Sequence, residues 1–487
     1  MNNNIMAKNI DRILSIGIAL TAERDMDKLL DLILTETMII TNCDAGTLYI
    51  KEDDHLHFKI LRNNKLNIFK GGAGDPIDLP PIKISESHVA SYVTIHRRME
   101  NIADVYNSIK FDFTGPKKYD ELTGYLTKSM LVIPLINNED NIVGTLQLIN
   151  ALDSQGDIIP FAPEFEEIFM SLSSLAAISL SNMSYIEQKK ALFQSLVEML
   201  AAAIDERSKY NANHTRHVVE ITRGFLKFLN KKHAEGKIPF CFTPNDEDQI
   251  IMAAWLHDIG KIITPLEIMD KSTRLGNKEP LINLRFETIL SAEQIRFYKG
   301  LITEAEYNEL INEINDARVL CERSNSGFPL NDNDIESIKS FGERTSITPS
   351  GLILNWLEPD EVESLAISFG TLTPKERQIM NEHVSITYRL LDKIAFSDEY
   401  RDVPVYAGGH HEKMNGWGYP NRLSEENLPI ATRILTIADI FEALTATDRP
   451  YKKPMPLEKA FEILEKMATE GELDAGLVAL FKEWKIV

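Results

Sequence analysis

The sequence predicts a multidomain protein, an α+β amino-terminal domain followed by an all-α carboxy-terminal bundle, on three observations. At 487 residues the chain exceeds one ordinary domain, since single cores stop growing at about 250–300 residues. Its first third switches between a helical and a two-residue hydrophobic period, whereas beyond Tyr210 the helical period persists almost throughout. Between them, from Glu164 to about Ser208, runs an apolar-periodic stretch without Pro or Gly. That run is far longer than the usual helix of about 11–12 residues.

The amino-terminal region opens with an amphipathic pattern at Ile10, Ile13, Leu14, Ile16 and Leu20, then a helical run from Met26 to Ile40. The period then changes. Ala45 to Ile50 reads as a strand with His57 to Leu61 as its partner. Ser129 to Leu135, a turn at Asn137 to Asn141, and Val143 to Leu148 read as a buried hairpin. Helices flanking an antiparallel sheet make an α+β layout.

Composition narrows the function classes. Hydrophobic residues make up 44% and charged residues 26%, as in ordinary folded domains. A formal charge of −21 argues against a surface that grips DNA, which needs a basic field. Cys43, Cys241 and Cys321 are odd in number and widely spaced, so a reducing compartment fits best. No stretch reaches the roughly 18–20 apolar residues that span a bilayer, and residues 1–10 are too polar for a secretory signal, so a cytoplasmic protein is expected.

The segment Leu122 to Leu131, running into Ile133-Pro134-Leu135 and then Gly144-Thr145-Leu146-Gln147-Leu148, resembles a GAF domain over residues 8–185. Some GAF domains bind cyclic nucleotides, and Asn101, Phe111 and Asp120 loosely match that subset's motif with a stretched spacing. An unidentified small-molecule ligand and a ligand-free dimerisation module are both open. The long helix over 164–208 suits a signalling stalk between two protomers, which would make a homodimer. It also suits a GAF-closing helix continued into the next domain.

Seven of the eleven histidines lie between His214 and His411. The central motif is Ala253-Ala254-Trp255-Leu256-His257-Asp258-Ile259-Gly260-Lys261, whose adjacent His-Asp pair is costly to bury late in an apolar helix unless something pairs with it. A divalent cation would do so, because imidazole offers nitrogen and a carboxylate can bridge two metals. His410-His411-Glu412 precedes the glycine-rich Asn415-Gly416-Trp417-Gly418-Tyr419-Pro420. With His214, His383 and Asp439 there are donors enough for two adjacent cations.

These motifs, with Gly370-Thr371-Leu372-Thr373, Ala438-Asp439 and Asp448-Arg449-Pro450-Tyr451-Lys452, make residues 190–487 similar to the HD-GYP domain, a branch of the HD phosphohydrolases specialised for cyclic di-GMP. The resemblance implies an HD-type helical bundle that hydrolyses cyclic di-GMP to linear pGpG and/or GMP. It places His214, His257, Asp258 and Asp439 around one divalent transition metal, and Asp258, His383, His410 and His411 around a second. Iron or manganese comes first as the metal, with zinc or nickel as alternatives. Two such cations together activate a water and clamp the oxygens of an in-line displacement at phosphorus. Lys261, one turn from His257, would stabilise charge on the phosphoryl oxygens. Arg449, Lys453 and the Gly418-Tyr419-Pro420 loop would contact substrate, and the loop is also a candidate dock for a cyclase-domain protein.

The chain departs from the family pattern at several positions. Asn415 and Glu442 each replace an aspartate. His217, where the family usually has a basic residue, is expected to support the ligands rather than bind metal itself, and Tyr210 replaces the glutamate that accompanies a third metal. Two metals are therefore expected. Residues 272–369, with polar helical segments such as Thr303 to Arg318, read as a structural helical insertion. The same chemistry on another cyclic dinucleotide, and a catalytically silent cyclic di-GMP receptor, remain the alternatives.

Overall fold

The structure, a computed structural model, describes residues 15–163, 166–208, 213–446 and 454–486. It divides into two compact units that meet between Leu192 and Phe193. Ile10, Ile13 and Leu14 of the opening amphipathic pattern, Tyr210, and Arg449 and Lys453 lie outside the described residues.

The first unit is built on one antiparallel sheet. Its strands are β1 (Cys43–Glu52), β2 (His55–Asn63), β3 (Ile68–Gly71), β4 (Ile82–Lys83), β5 (Glu100–Ile102), β6 (Met130–Ile136), β7 (Ile142–Leu152) and β8 (Ile158–Ile159). The order is β3-β2-β1-β7-β6-β5, with β4 on β2 and β8 on β7. Both hairpins expected from the alternation are present, β1 against β2 and β6 against β7.

Successive side chains of a strand face opposite ways, and β6 shows why the sheet needs two coverings. Leu131, Ile133 and Leu135 face a core made with Leu29, Leu30, Ile33 and Leu34 of α1 (Met26–Thr41) and Phe169, Leu172 and Leu180 of the long helix. Met130 and Val132 face a second core with Val89, Ala90 and Val93 of α2 (Val89–His96) and with Phe111 and Phe113. A short helix, α3 (Thr114–Thr123), precedes β6. Helical residues 15–22 bring Ile16 and Leu20 to the first core.

Polar side chains are tied inside this unit. Asp120 accepts from the Thr127 N–H and hydroxyl at 2.7 and 2.8 Å and from the Tyr106 hydroxyl at 2.9 Å. Asn101 donates to the Phe161 carbonyl, and Phe111 belongs to the core. All three residues of the loosely matched cyclic-nucleotide motif are thus engaged in holding the fold.

The 40-residue helix α4 (Glu166–Asp205) crosses the boundary between the units. The second unit follows with α5 (His214–Ala234), α6 (Pro244–Leu256), a 3-10 turn (Ile259–Ile263) and α7 (Leu266–Met269). Later come α12 (Pro374–Leu391), α13 (Val403–Gly408), α14 (Ile430–Thr445), α15 (Leu457–Thr469) and α16 (Ala475–Ile486), after the insertion helices α8 (Glu279–Tyr298), α9 (Glu304–Ser324), α10 (Asp332–Gly342) and α11 (Pro359–Leu365). Thr243 and Thr373 begin α6 and α12 with reciprocal capping boxes to Asp246 and Glu376, which fixes where these two helices start.

The insertion has its own core, including Ile282, Phe286, Ile289, Ile314, Ala317 and Trp356. It departs from the wholly helical expectation in one place. Thr345–Ile347 and Ile353–Asn355 pair as a small antiparallel hairpin, short enough to leave no clear two-residue period.

One residue pins both ends of the insertion. Arg274 is fully buried and donates to the carbonyls of Gly370 at 3.0 Å, Ser324 at 2.5 Å and Phe328 at 2.7 Å. Its five donors suit several carbonyls at once. Arg274→Met would keep much of the volume and orphan those acceptors, and each buried unsatisfied group costs about 1–3 kcal/mol. The urea midpoint should fall by the equivalent of at least about 2 kcal/mol, with residues 272–369 becoming the first site of limited proteolysis. An unchanged midpoint and cleavage pattern would exclude this anchoring role.

Candidate metal centre

Helix α6 is apolar toward its end, with Met252, Ala253, Ala254 and Leu256 buried. It stops before the motif does. His257 caps it with helical φ and ψ, whereas Asp258 has φ −103° and ψ 8° and opens the 3-10 turn, a backbone region typical of turns and sites. Lys261 therefore sits on a tighter turn than the α-helix the spacing suggests. Its Nζ lies 2.6 Å from Asp258 Oδ2, three residues away.

The tight turn packs directly on α12. A Cβ at Gly260 would lie 1.9 Å from the His383 carbonyl oxygen, so only glycine permits this approach. Thr387, one turn beyond His383, clamps the contact: its hydroxyl accepts from the Gly260 N–H at 3.0 Å and donates to the His257 carbonyl at 3.0 Å. The turn carrying His257 and Asp258 is thereby held against the helix carrying His383.

The result is a carboxylate between two groups of imidazoles. Asp258 Oδ2 lies 3.4 Å from His214 Nε2 and 3.2 Å from His257 Nε2. Its other oxygen, Oδ1, lies 3.3 Å from His383 Nε2 and 3.9 Å from His410 Nε2. Asp439 Oδ1, from α14, lies 3.2 Å from His214 Nε2 and 3.8 Å from His257 Nε2. The donor atoms of His214, His257 and Asp258 fall within 4.8 Å of one another, as do those of His383, His410 and His411. All seven residues singled out as metal donors are brought together.

The ring orientations follow from the backbone. Nδ1 of His257, His383 and His410 meets the carbonyl three residues earlier, at Ala254 (2.8 Å), Met380 (2.6 Å) and Ala407 (2.7 Å). A carbonyl only accepts, so each Nδ1 carries the proton and each Nε2 presents a lone pair. His214, the first residue of α5, uses a carboxylate instead: its Nδ1 lies 2.5 Å from Glu442 Oε2. Glu442 Oε1 is 3.4 Å from Nδ1 of His217, a half-exposed ring at the rim. Sequence reasoning placed Glu442 outside the donor set and missed that it orients His214; its spacing of one α-helical turn from Asp439 was the available signal.

Electrostatics divide the site. Burial pushes His411 down to about 4, with the neighbouring His383 adding to the effect, and it pushes His410 well below the ordinary range. These rings are neutral donors. Burial opposes charge on His214 too, but Asp258, Asp439 and Glu442 outweigh it and raise its pKa. Asp258 stays ionised against burial chiefly because the Lys261 ammonium holds its pKa far down.

Among the described residues, His257 Nε2, His383 Nε2, His410 Nε2 and Asp258 Oδ1 are buried side-chain atoms with no hydrogen-bond partner. Four orphaned acceptors pointing into one small volume are expensive unless a cation satisfies them. Imidazole nitrogens mixed with carboxylate oxygens suit divalent transition metals. The residues present therefore fit a metal pair.

The glycine-rich loop flanks the second group. The Tyr419 ring stacks on His411 at 4.9 Å between centroids, and the Tyr419 N–H donates to the His411 carbonyl at 3.2 Å. Glu412, buried to 1% exposure, braces the loop by accepting from the N–H groups of Asn421 and Leu423. Gly418 is required by close approach, since a Cβ there would lie 2.4 Å from the Lys413 nitrogen. Pro420 follows Tyr419 through a cis peptide.

Comparisons with known proteins agree with this architecture. A family model described as the GAF domain matches residues 25–180, and one described as the HD domain matches residues 353–477. A cyclic di-GMP phosphodiesterase of Thermotoga maritima is 38% identical over 105 residues, 20% of this chain and 26% of that protein. A 3'3'-cGAMP-specific phosphodiesterase 3 of Vibrio cholerae is 38% identical over 97 residues, 20% of each chain. The 3'3'-cGAMP-specific phosphodiesterase 2 of the same organism is 30% identical over 206 residues, 42% of this chain and 36% of that protein. The chain thus spans between a fifth and roughly a third of the length of these curated relatives. It carries a GAF domain in its amino-terminal part and an HD domain in its carboxy-terminal part.

Proposed function

We propose that the second unit is a metal-dependent phosphodiesterase of the HD-GYP type that hydrolyses cyclic di-GMP to linear pGpG and/or GMP. The observation that carries this reading is the Asp258 carboxylate, with one oxygen toward His214 and His257 and the other toward His383 and His410. His214, His257, Asp258 and Asp439 would hold one divalent cation, and Asp258, His383, His410 and His411 the other. Such a pair supplies an activated water and Lewis-acid stabilisation of the phosphoryl oxygens.

The remaining roles belong to the protein. Nδ1–H contacts with backbone carbonyls keep three imidazoles in the donating tautomer. Lys261 neutralises part of the carboxylate charge beside the reaction volume and is poised to meet the phosphodiester. Tyr419, stacked on His411, forms one wall where a substrate base or ribose would rest. Arg449 and Lys453 would contact the second phosphate.

A second reading keeps the chemistry and changes the bases, because two of the relatives are named as 3'3'-cGAMP-specific. Incubating the metal-replete chain with cyclic di-GMP and with 3'3'-cGAMP and separating the products decides between them. Intact substrate in both incubations would leave the silent receptor.

Metal analysis of protein purified without chelators should give about two iron or manganese ions per chain, by the bridging logic of two-metal sites. Asp258→Asn should lose both metal and hydrolysis together; normal turnover in that variant would show the bridge to be misassigned. Lys261→Ala should instead keep its metals and slow hydrolysis by about 10²–10³, the usual effect of removing one stabilising donor. Metal loss in Lys261→Ala would make the lysine a structural partner of Asp258 only.

Regulation by the GAF domain through a homodimer rests on α4, whose 40 residues contain no flexible linker. Two residues inserted after Ser184 rotate the downstream helix by about 200°, and seven nearly restore its phase. Hydrolysis should change sharply for two and little for seven. Equal rates in both, or a monomer by light scattering, would remove this mode of control and leave the chemistry untouched.

A further inference from the structure

The residues that close α4 touch both elements that carry the first group of donors. Asp205, the last residue of α4, is 4% exposed and accepts from the Thr215 N–H at 3.2 Å and the Thr215 hydroxyl at 2.9 Å. Thr215 directly follows His214 in the first turn of α5, where backbone N–H groups lack helical acceptors. Asp205 thus caps, from another helix, the turn that projects His214.

Two residues later the chain reverses the polarity of the contact. The Arg207 guanidinium donates to the carbonyl of Lys261 at 3.0 Å and to that of Ile262, and its other terminal nitrogen reaches the Thr264 carbonyl at 3.5 Å. These carbonyls end the 3-10 turn that begins after Asp258. A planar guanidinium satisfies several such acceptors at once, which an ammonium does not. Ser208 adds a hydroxyl bond to Asp270 Oδ1 at 2.5 Å, just past α7.

One short stretch therefore registers two elements that meet at the centre, the start of α5 with His214 and the turn with Asp258. Both contribute to the first group of donors, whereas His383 and His410, which Asp258 meets through its other oxygen, are oriented by the carbonyls of Met380 and Ala407. We propose that Asp205 and Arg207 are positioning residues that set His214 against Asp258 and so tune the affinity of the first metal group, the end of α4 acting as the point through which a shift of that helix reaches the metals. The inference rests on the metal-centre reading above.

Binding of Mn²⁺ alone to the full-length chain, followed by equilibrium dialysis with no nucleotide present, tests it. Wild type should bind two ions. Asp205→Ala and Arg207→Ala should each weaken binding at the first group by at least about 10-fold, the lower end for groups that orient metal ligands; Asp205→Ala, which acts beside His214 alone, should leave the second ion in place. The melting temperature of the metal-free chain should stay within a few degrees, which separates positioning from general destabilisation. Arg207→Lys, which keeps the charge and loses the fork, should fall between wild type and alanine and serves if the alanine variant does not fold. Wild-type affinities in Asp205→Ala and Arg207→Lys would overturn the inference while leaving the metal centre intact. Failure of the wild type to bind Mn²⁺ would instead remove the metal reading, and the inference with it.

Discussion

A carboxylate with 4% of its surface exposed cannot keep its charge without strong compensation, and much of the second unit is arranged around supplying it to Asp258. The helix α6 ends one residue early so that the carboxylate turns inward. Gly260 lacks a side chain so that α12 can come within contact, and Thr387 ties the two backbones together. Lys261 answers the charge from one side and four imidazoles surround it from the others. The apolar residues packed behind, Ala253, Ala254, Leu435 and Ala438 among them, keep water away and raise the stakes of each contact.

Much of this was legible in the sequence where the signal is local. The sheet of the first unit could be read because β6 and β7 are short runs rich in branched apolar residues on either side of the Asn137 to Asn141 turn, and His257-Asp258 and His410-His411 announce themselves as adjacent polar pairs in apolar surroundings. What escaped detection is what acts across sequence distance. Thr387 meets Gly260 across 127 positions and Glu442 meets His214 across 228. Neither pairing leaves a periodic trace. Arg274 looks like any polar residue in a loop until its three carbonyl partners, from 50 to 96 positions away, are seen.

The insertion explains another blind spot. The match to the HD domain begins at residue 353, inside the segment 272–369, so His214, His257 and Asp258 fall outside it although the structure joins them to His383, His410 and Asp439. A long excursion that folds on its own core and returns to the same point, pinned by Arg274, separates the two halves in sequence without separating them in space. In the first unit, the polar residues that hint at a ligand, Asn101 and Asp120, are instead spent on closing loops over the sheet.

The way each imidazole is oriented also decides how the centre tolerates mutation. His257, His383 and His410 take their orienting acceptor from the peptide backbone, and a backbone carbonyl is present whatever side chain occupies the position. Exchanging Ala254, Met380 or Ala407 alters packing but leaves that acceptor in place. His214 takes its acceptor from a side chain, so a single codon change at Glu442 deletes it. The mutational fragility of ligand orientation is therefore unevenly distributed. It concentrates at one contact between α5 and α14, while the tautomers of His257, His383 and His410 stay written into the main chain.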